Sequence, residues 1–277
     1  MDFEEPIPFW TNEDPRLHLL SWGGEGLPLL MLHGMGGSVR WWDGVAPALA
    51  QNFKPVALDF AGHGDSGWRP DGKYGLDVYT ENVESARHCL GWSKFVLVGH
   101  SMGGRVALEY AAKYPNRLIA LGAFDFLSEI DSTSEGRFMR ARSRSQPYYQ
   151  DKAELLKHFR LQPKGTLLSE TELAALGTHM VKKTPQGWTW RFDWRAFGSN
   201  YPPVWPTLAK ISVPSLVMRG GHSEVMPKKD FDRVLKELRG ARGVQLDNAY
   251  HHTPLDEPEK TARAIVEFAS CLPSAAS

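Results

Sequence analysis

The sequence predicts an α/β fold, a mostly parallel central sheet flanked by helices, on three observations. Short apolar runs alternate with longer stretches of helical periodicity. Several of these runs are apolar at every position, as a strand must be when helices cover both faces of its sheet. One interval, residues 128–205, lacks such runs and reads as an inserted, mainly helical cap, which assigns residues 1–127 and 206–277 to the core.

In chain order, strands are expected over residues 29–33, 55–59, 95–99, 118–124, 213–218 and 244–246. Helices are expected over 39–50, 78–90, 102–114, 228–238 and 258–269, each following a strand run. Inside the insertion, the basic series Arg137, Arg140, Arg142 and Arg144 reads as a solvated helix face, because charge runs usually face water. Trp188, Trp190, Phe192 and Trp194 alternate, which puts them on one face of an extended segment; that face must be covered by the core or, in part, by a substrate. Trp41 and Trp42 read as core residues, and the Ser/Ala-rich end, 273–277, as frayed.

At 277 residues, with 42% hydrophobic and 11% aromatic side chains, the chain has material for a large core. Thirty-two Lys and Arg balance thirty-two Asp and Glu, so no overall field attracts phosphate backbones or anionic lipid. The acidic start, Met1-Asp2-Phe3-Glu4-Glu5, is unlike a signal peptide, and no apolar run is long enough to span a bilayer. Neither nucleic acid nor a membrane is expected as a partner, and a cytoplasmic location is. The two cysteines, Cys89 and Cys271, offer no disulfide framework and are expected as buried helix residues.

Gly99-His100-Ser101-Met102-Gly103 follows an unbroken apolar run and precedes Val106, Tyr110 and Tyr114 at helical spacing. A Gly-x-Ser-x-Gly pentapeptide alone recurs by chance, so its meaning lies in that context. Strand, sharp turn and helix form the nucleophile elbow, where small flanking residues let the backbone fold tightly and project the serine hydroxyl above the sheet. The helix start behind it offers amide dipoles to a developing anion.

Three further segments appear in order outside the insertion: His33-Gly34-Met35-Gly36-Gly37, Gly62-His63-Gly64-Asp65-Ser66 and Asn248-Ala249-Tyr250-His251. With the elbow, they make the chain resemble the α/β-hydrolase family that uses Ser-Asp-His chemistry. The resemblance implies Ser101 as nucleophile, His251 as its base, and the backbone amides of Met35 and Met102 as oxyanion-hole donors. His252 is the competitor for the base. His33, His63 and His100 read as structural. The neighbouring His251 and His252 lack a carboxylate or thiol at metal-ligand spacing, so no metal is expected, and the resemblance implies no cofactor.

The acid departs from the commonest family pattern. Where the resemblance puts Asp in a Gly-x-x-Asp turn, this chain has Gly220-Gly221-His222-Ser223, with Glu224 one step later. A neutral hydroxyl cannot stabilise an imidazolium. Asp125 ends the strand after the nucleophile's helix, which returns it to the same sheet edge as Ser101, roughly 5 Å away if the strands are neighbours. Some family branches place their acid there. Asp125 is therefore expected, with Glu224 as the alternative and Asp247 behind it.

The expected activity is cleavage of a carboxylic ester or lactone through an acyl-enzyme on Ser101, on a small molecule whose apolar group meets the aromatic insertion. A carbon–carbon bond hydrolase of vinylogous diketones, with the same triad, stays open, as does a non-catalytic ligand-binding protein on this fold. Haloalkane dehalogenases and epoxide hydrolases need a carboxylate at position 101, where this chain has serine.

Overall fold

The computed structural model describes residues 5–129, 140–197 and 201–272. Its main sheet is built from β1 (Ile7–Trp10), β2 (His18–Ser21), β3 (Leu27–Leu32), β4 (Phe53–Leu58), β5 (Phe95–His100) and β6 (Leu118–Phe124). After the insertion, which carries the hairpin β7 (Val181–Thr184) and β8 (Gly187–Trp190), the sheet is completed by β9 (Ser215–Gly220) and β10 (Arg242–Leu246). The strand order is β1-β2-β4-β3-β5-β6-β9-β10; the first two pairings are antiparallel and all others parallel.

Alternation of side chains divides one core into two layers. In β5, Phe95 and Leu97 enter the cluster on one face while Val96 and Val98 enter the cluster on the other; in β3, Leu30 and Leu32 oppose Leu29 and Met31. That two-sided burial explains why these runs carry no polar position. The helices between them are α1 (Ala46–Leu49), α2 (Leu76–Cys89) and α3 (Met102–Lys113), and, within the insertion, α4 (Lys152–Leu156) and α5 (Glu170–His179). There follow α6 (Trp205–Leu208), α7 (Lys228–Glu237), α8 (Thr253–Asp256) and α9 (Pro258–Ser270). Among the described residues, no helix is long and apolar enough to cross a membrane.

The structure differs from the sequence reading in four places. The helix expected over 39–50 is a 3₁₀ turn, Val39–Trp42, followed by α1, because Gly44 and Pro47 interrupt it and Val39 gives its amide to Asp59 Oδ1 at 2.7 Å. β1 and β2 were not expected; β1 carries Pro8, which an edge strand tolerates because one row of its amides is unpaired. The insertion is not only helical, since β7 and β8 pair antiparallel. Finally, Cys89 and Cys271 are exposed rather than buried: each sits at a helix C-terminal end, beyond the core-facing series Tyr79, Val83 and Ala86 of α2 or Ala262, Ile265 and Phe268 of α9.

Arg140, Arg142 and Arg144 are exposed, as expected of a solvated face, whereas Arg137 and residues 273–277 lie outside the described residues. Trp41 and Trp42 are buried. Of the alternating aromatics, Phe192 belongs to the core cluster and Trp190 and Trp194 pack against it; Thr189, on the opposite face, is also buried.

Candidate active site

Ser101 joins β5 to α3 with φ 56° and ψ −118°, a conformation that costs a non-glycine residue about 1–3 kcal/mol. The surroundings enforce it. The Ser101 amide donates to Phe124 O at 2.8 Å, and its carbonyl accepts from the Arg105 amide at 3.1 Å. Gly103 lets the turn sit against β3: a Cβ there would come within 2.6 Å of Leu32 O and 2.7 Å of His33 O. The first amides of α3 have no acceptor within the helix. Met102 opens that helix, and a Cβ on Gly34, beside Met35, would stand 3.1 Å from Ser101 Cβ. The turn holding Met35 therefore lies against the elbow.

Asp125 leaves β6 at φ 42°, fully buried, its amide donating to Met218 O at 2.8 Å. Its Oδ2 accepts the Gly220 amide at 2.7 Å, and Oδ1 accepts the Ser223 hydroxyl at 2.5 Å. His251 Nδ1 lies 2.8 Å from the same Oδ1, and its Nε2 lies 3.0 Å from Ser101 Oγ. Because a carboxylate accepts, the proton belongs on Nδ1, which leaves Nε2 as the acceptor for the serine hydroxyl. The structure thus brings Ser101, His251 and Asp125 into one chain of hydrogen bonds.

Glu224 and Asp247 lie outside this chain. Glu224 is exposed, and Asp247 is exposed with Oδ1 accepting from Gln245 Nε2 at 2.8 Å. His252 is turned away, its Nε2 donating to Pro163 O at 2.8 Å, and burial pushes its pKa down to about 3. His33 Nδ1 donates to Gly34 O at 2.7 Å and its Nε2 accepts the Phe60 amide at 3.2 Å, a structural use. His63 is buried against Ala61 O.

One supporting residue was missed at the sequence level. Ser223 was noted only as a non-acid, yet its hydroxyl anchors Asp125; the displaced carboxylate and the serine at its usual place were the signal. His100, read as structural, donates Nε2–H to His251 O at 2.8 Å and so fixes the backbone of the loop after β10.

The insertion meets this edge through polar ties. Tyr74 donates its hydroxyl to Asp193 at 2.7 Å, Arg191 pairs with Asp65, and Thr166 Oγ1 and the Leu167 amide both donate to Asp256 Oδ1. Arg105 spans the base of the insertion, bonding Leu127 O at 2.7 Å and Pro202 O; burial lowers its pKa to about 10. A cavity of about 460 Å³ between α4 and α5, lined by Leu156, Phe159, Leu161 and Leu173, touches none of Ser101, Asp125 or His251.

A family model described as the alpha/beta hydrolase fold matches residues 28–258. A serine hydrolase-like protein of Danio rerio is 28% identical over 96% of this chain and 87% of its own. Esterase Rv0045c of Mycobacterium tuberculosis is 27% identical over 90% of this chain and 83% of its own. Among solved structures, a thioesterase domain from the curacin biosynthetic pathway superposes with a TM-score of 0.80 at 22% identity, covering 95% of this chain and all of that one, which is a likeness of fold.

Proposed function

The chain belongs to the alpha/beta hydrolase family and is a hydrolase of small molecules; from that premise we propose that it cleaves a carboxylic ester or lactone through an acyl-enzyme on Ser101. The observation that carries this reading is the pair of contacts made by one imidazole, 3.0 Å to Ser101 Oγ and 2.8 Å to Asp125 Oδ1. A serine hydroxyl is a weak nucleophile until a base takes its proton.

In this reading His251 Nε2 removes the Ser101 proton as Oγ attacks the carbonyl carbon. Asp125, held by Gly220 and Ser223, keeps the Nδ1–H tautomer and stabilises the imidazolium. The Met35 and Met102 amides receive the oxyanion, each contributing about 3–4 kcal/mol to the barrier reduction. His251 then hands its proton to the leaving alkoxide, and water, deprotonated by the same ring, releases the acid. The insertion 128–205 acts as a cap, and its aromatic residues favour an apolar substrate group. The likeness to a serine hydrolase-like protein and to an esterase supports the same class.

The test is rapid mixing with a p-nitrophenyl ester. Wild type is expected to release a burst of p-nitrophenol equal to the enzyme concentration, and Ser101→Ala to lose the burst and on the order of 10⁴-fold or more of kcat/KM. Turnover that survives in Ser101→Ala would refute the acyl-enzyme.

A further inference from the structure

The insertion leaves the core just after β6 and rejoins it at α6, and both legs pass the same guanidinium. Arg105 closes the first turn of α3, where its amide donates to Ser101 O at 3.1 Å. Its Nη1 donates to Leu127 O at 2.7 Å on the outgoing leg, and its Nη2 donates to Pro202 O on the returning leg. The legs also meet directly, with Val204 N donating to Ser128 O at 3.0 Å. One residue thus joins the turn that carries Ser101 to both ends of the insertion.

The choice of side chain is informative. Arg105 is 5% exposed, and among the described residues no carboxylate pairs with it; Glu109, one turn along α3, accepts the Thr207 hydroxyl at 3.2 Å instead. A buried cation without a counterion is costly, so packing alone would be better served by an apolar residue. A guanidinium, however, presents five N–H donors in one rigid plane and can hold carbonyls from two separate segments at once. The Tyr201 ring, also on the returning leg, lies 5.8 Å from the central carbon of the guanidinium. Asp125 stands only two residues before Leu127, yet Met218 O, the Gly220 amide and the Ser223 hydroxyl hold it independently. Loss of the Arg105 side chain therefore loosens the insertion while the hydrogen bonds among Ser101, His251 and Asp125 persist.

We propose that Arg105 is a positioning residue that sets the insertion over Ser101 and thereby decides how strongly the site favours large over small acyl groups. Leu127 O and Pro202 O mark where the chain departs and returns, so a shift of either leg moves everything between them. The scissile carbonyl of any substrate must sit at Ser101, whereas a long acyl group extends past it to meet the insertion. A displaced insertion loses the binding energy of that remote part and leaves a short substrate unaffected. The selectivity part of this inference rests on the ester-cleaving reading; the tie between Arg105 and the two legs does not.

The test compares the full chain with R105M and R105K on p-nitrophenyl acetate and p-nitrophenyl octanoate, with active sites counted from the p-nitrophenol burst. For the octanoate, R105M is expected to raise KM about tenfold while kcat changes less than about threefold, and KM for the acetate is expected to change less than about twofold. R105K, which can hold one carbonyl but not both, is expected to raise the octanoate KM about threefold, and it decides the matter if R105M fails to fold. Octanoate KM values as in wild type, with or without a smaller burst, would mark a purely structural residue and overturn the proposal, as would equal effects on both esters. Hydrogen exchange at the Val204 amide needs no turnover and is expected to be about tenfold or more faster in R105M, or in R105K to a smaller degree. Unchanged exchange overturns the tie. Faster exchange in a chain that turns over neither ester would leave the tie standing and remove the proposed function instead.

Discussion

The carboxyl edge of the sheet and the insertion that meets it are held by different means. At the edge, the main chain positions the chemistry: Ser101 N bonds Phe124 O, Asp125 N bonds Met218 O, and Gly220 N bonds the Asp125 carboxylate. Ser101, Asp125 and Gly220 each sit at or one residue beyond the end of a parallel strand whose register is fixed by its neighbours, and His251 comes from the loop after β10. The insertion docks by side chains, such as Tyr74 on Asp193, Arg195 on the Arg69 and Pro70 carbonyls, and His252 on Pro163 O, together with one short main-chain bridge in which Gly64 N bonds Arg191 O and Asp193 N bonds Gly62 O. Strain at Ser101 and Asp125 is tolerated because several strands over-determine those backbones. A side-chain tie has no such redundancy, so changes in the insertion are expected to move affinity and stability rather than the chemical step.

Substitutions at the edge break the comparison most sharply. Asp125→Asn preserves shape while disturbing the tautomer of His251, and a loss of about 10⁴-fold in kcat is expected; a loss under tenfold would show that the edge does not set the chemistry. A smaller effect, on stability, tests the joint between the two regions. His252 has its folded pKa lowered to about 3 against an ordinary 6.5, so as pH falls the unfolded state takes the proton first. The stability its neutral ring contributes is complete above pH 6.5 and is lost progressively from there down to pH 3. By pH 5 the loss is about 2 kcal/mol, read as a lower urea midpoint than at pH 7, and His252→Gln should flatten that slope.

Ser223→Ala comes next. Removing one of the donors to Asp125 Oδ1 is expected to lower kcat/KM about tenfold with KM little changed, since the effect passes through His251 rather than through substrate. Glu224→Gln is the smallest: an exposed carboxylate outside the hydrogen-bonded chain should alter kcat/KM by less than about twofold. A large effect there, with a small one at Asp125, would move the acid to the later loop.

The same contrast decides what was legible in the sequence. β3, β5, β6 and the Leu216–Met218 centre of β9 are apolar on both faces, so composition alone marks them, and the elbow could be read because strand, glycine-flanked serine and helix are contiguous. Asp125 could be read because one helix and one strand must bring the chain back to the same edge. β1 was hidden by Pro8 and by its mostly exposed, edge position, where burial leaves no pattern. The β7–β8 hairpin lies off the main sheet, and its Trp and Thr residues serve two partly covered faces that period-two reasoning treats as one. Ser223 and His100 act through partners more than 90 residues away, a separation that no local pattern records. The exposed cysteines show the limit of a general tendency: position at a helix end outweighs the usual preference of the thiol for the interior.

The central claim, that Ser101 Oγ is the atom activated by His251, is tested most directly by mapping a fluorophosphonate adduct with intact-mass and peptide mass spectrometry. One phosphonyl group per chain, on the peptide carrying Ser101 and suppressed in His251→Gln, is the expected result. Stoichiometric labelling at another residue, or an unmodified Ser101 in a folded and hydrolytically active chain, would contradict it.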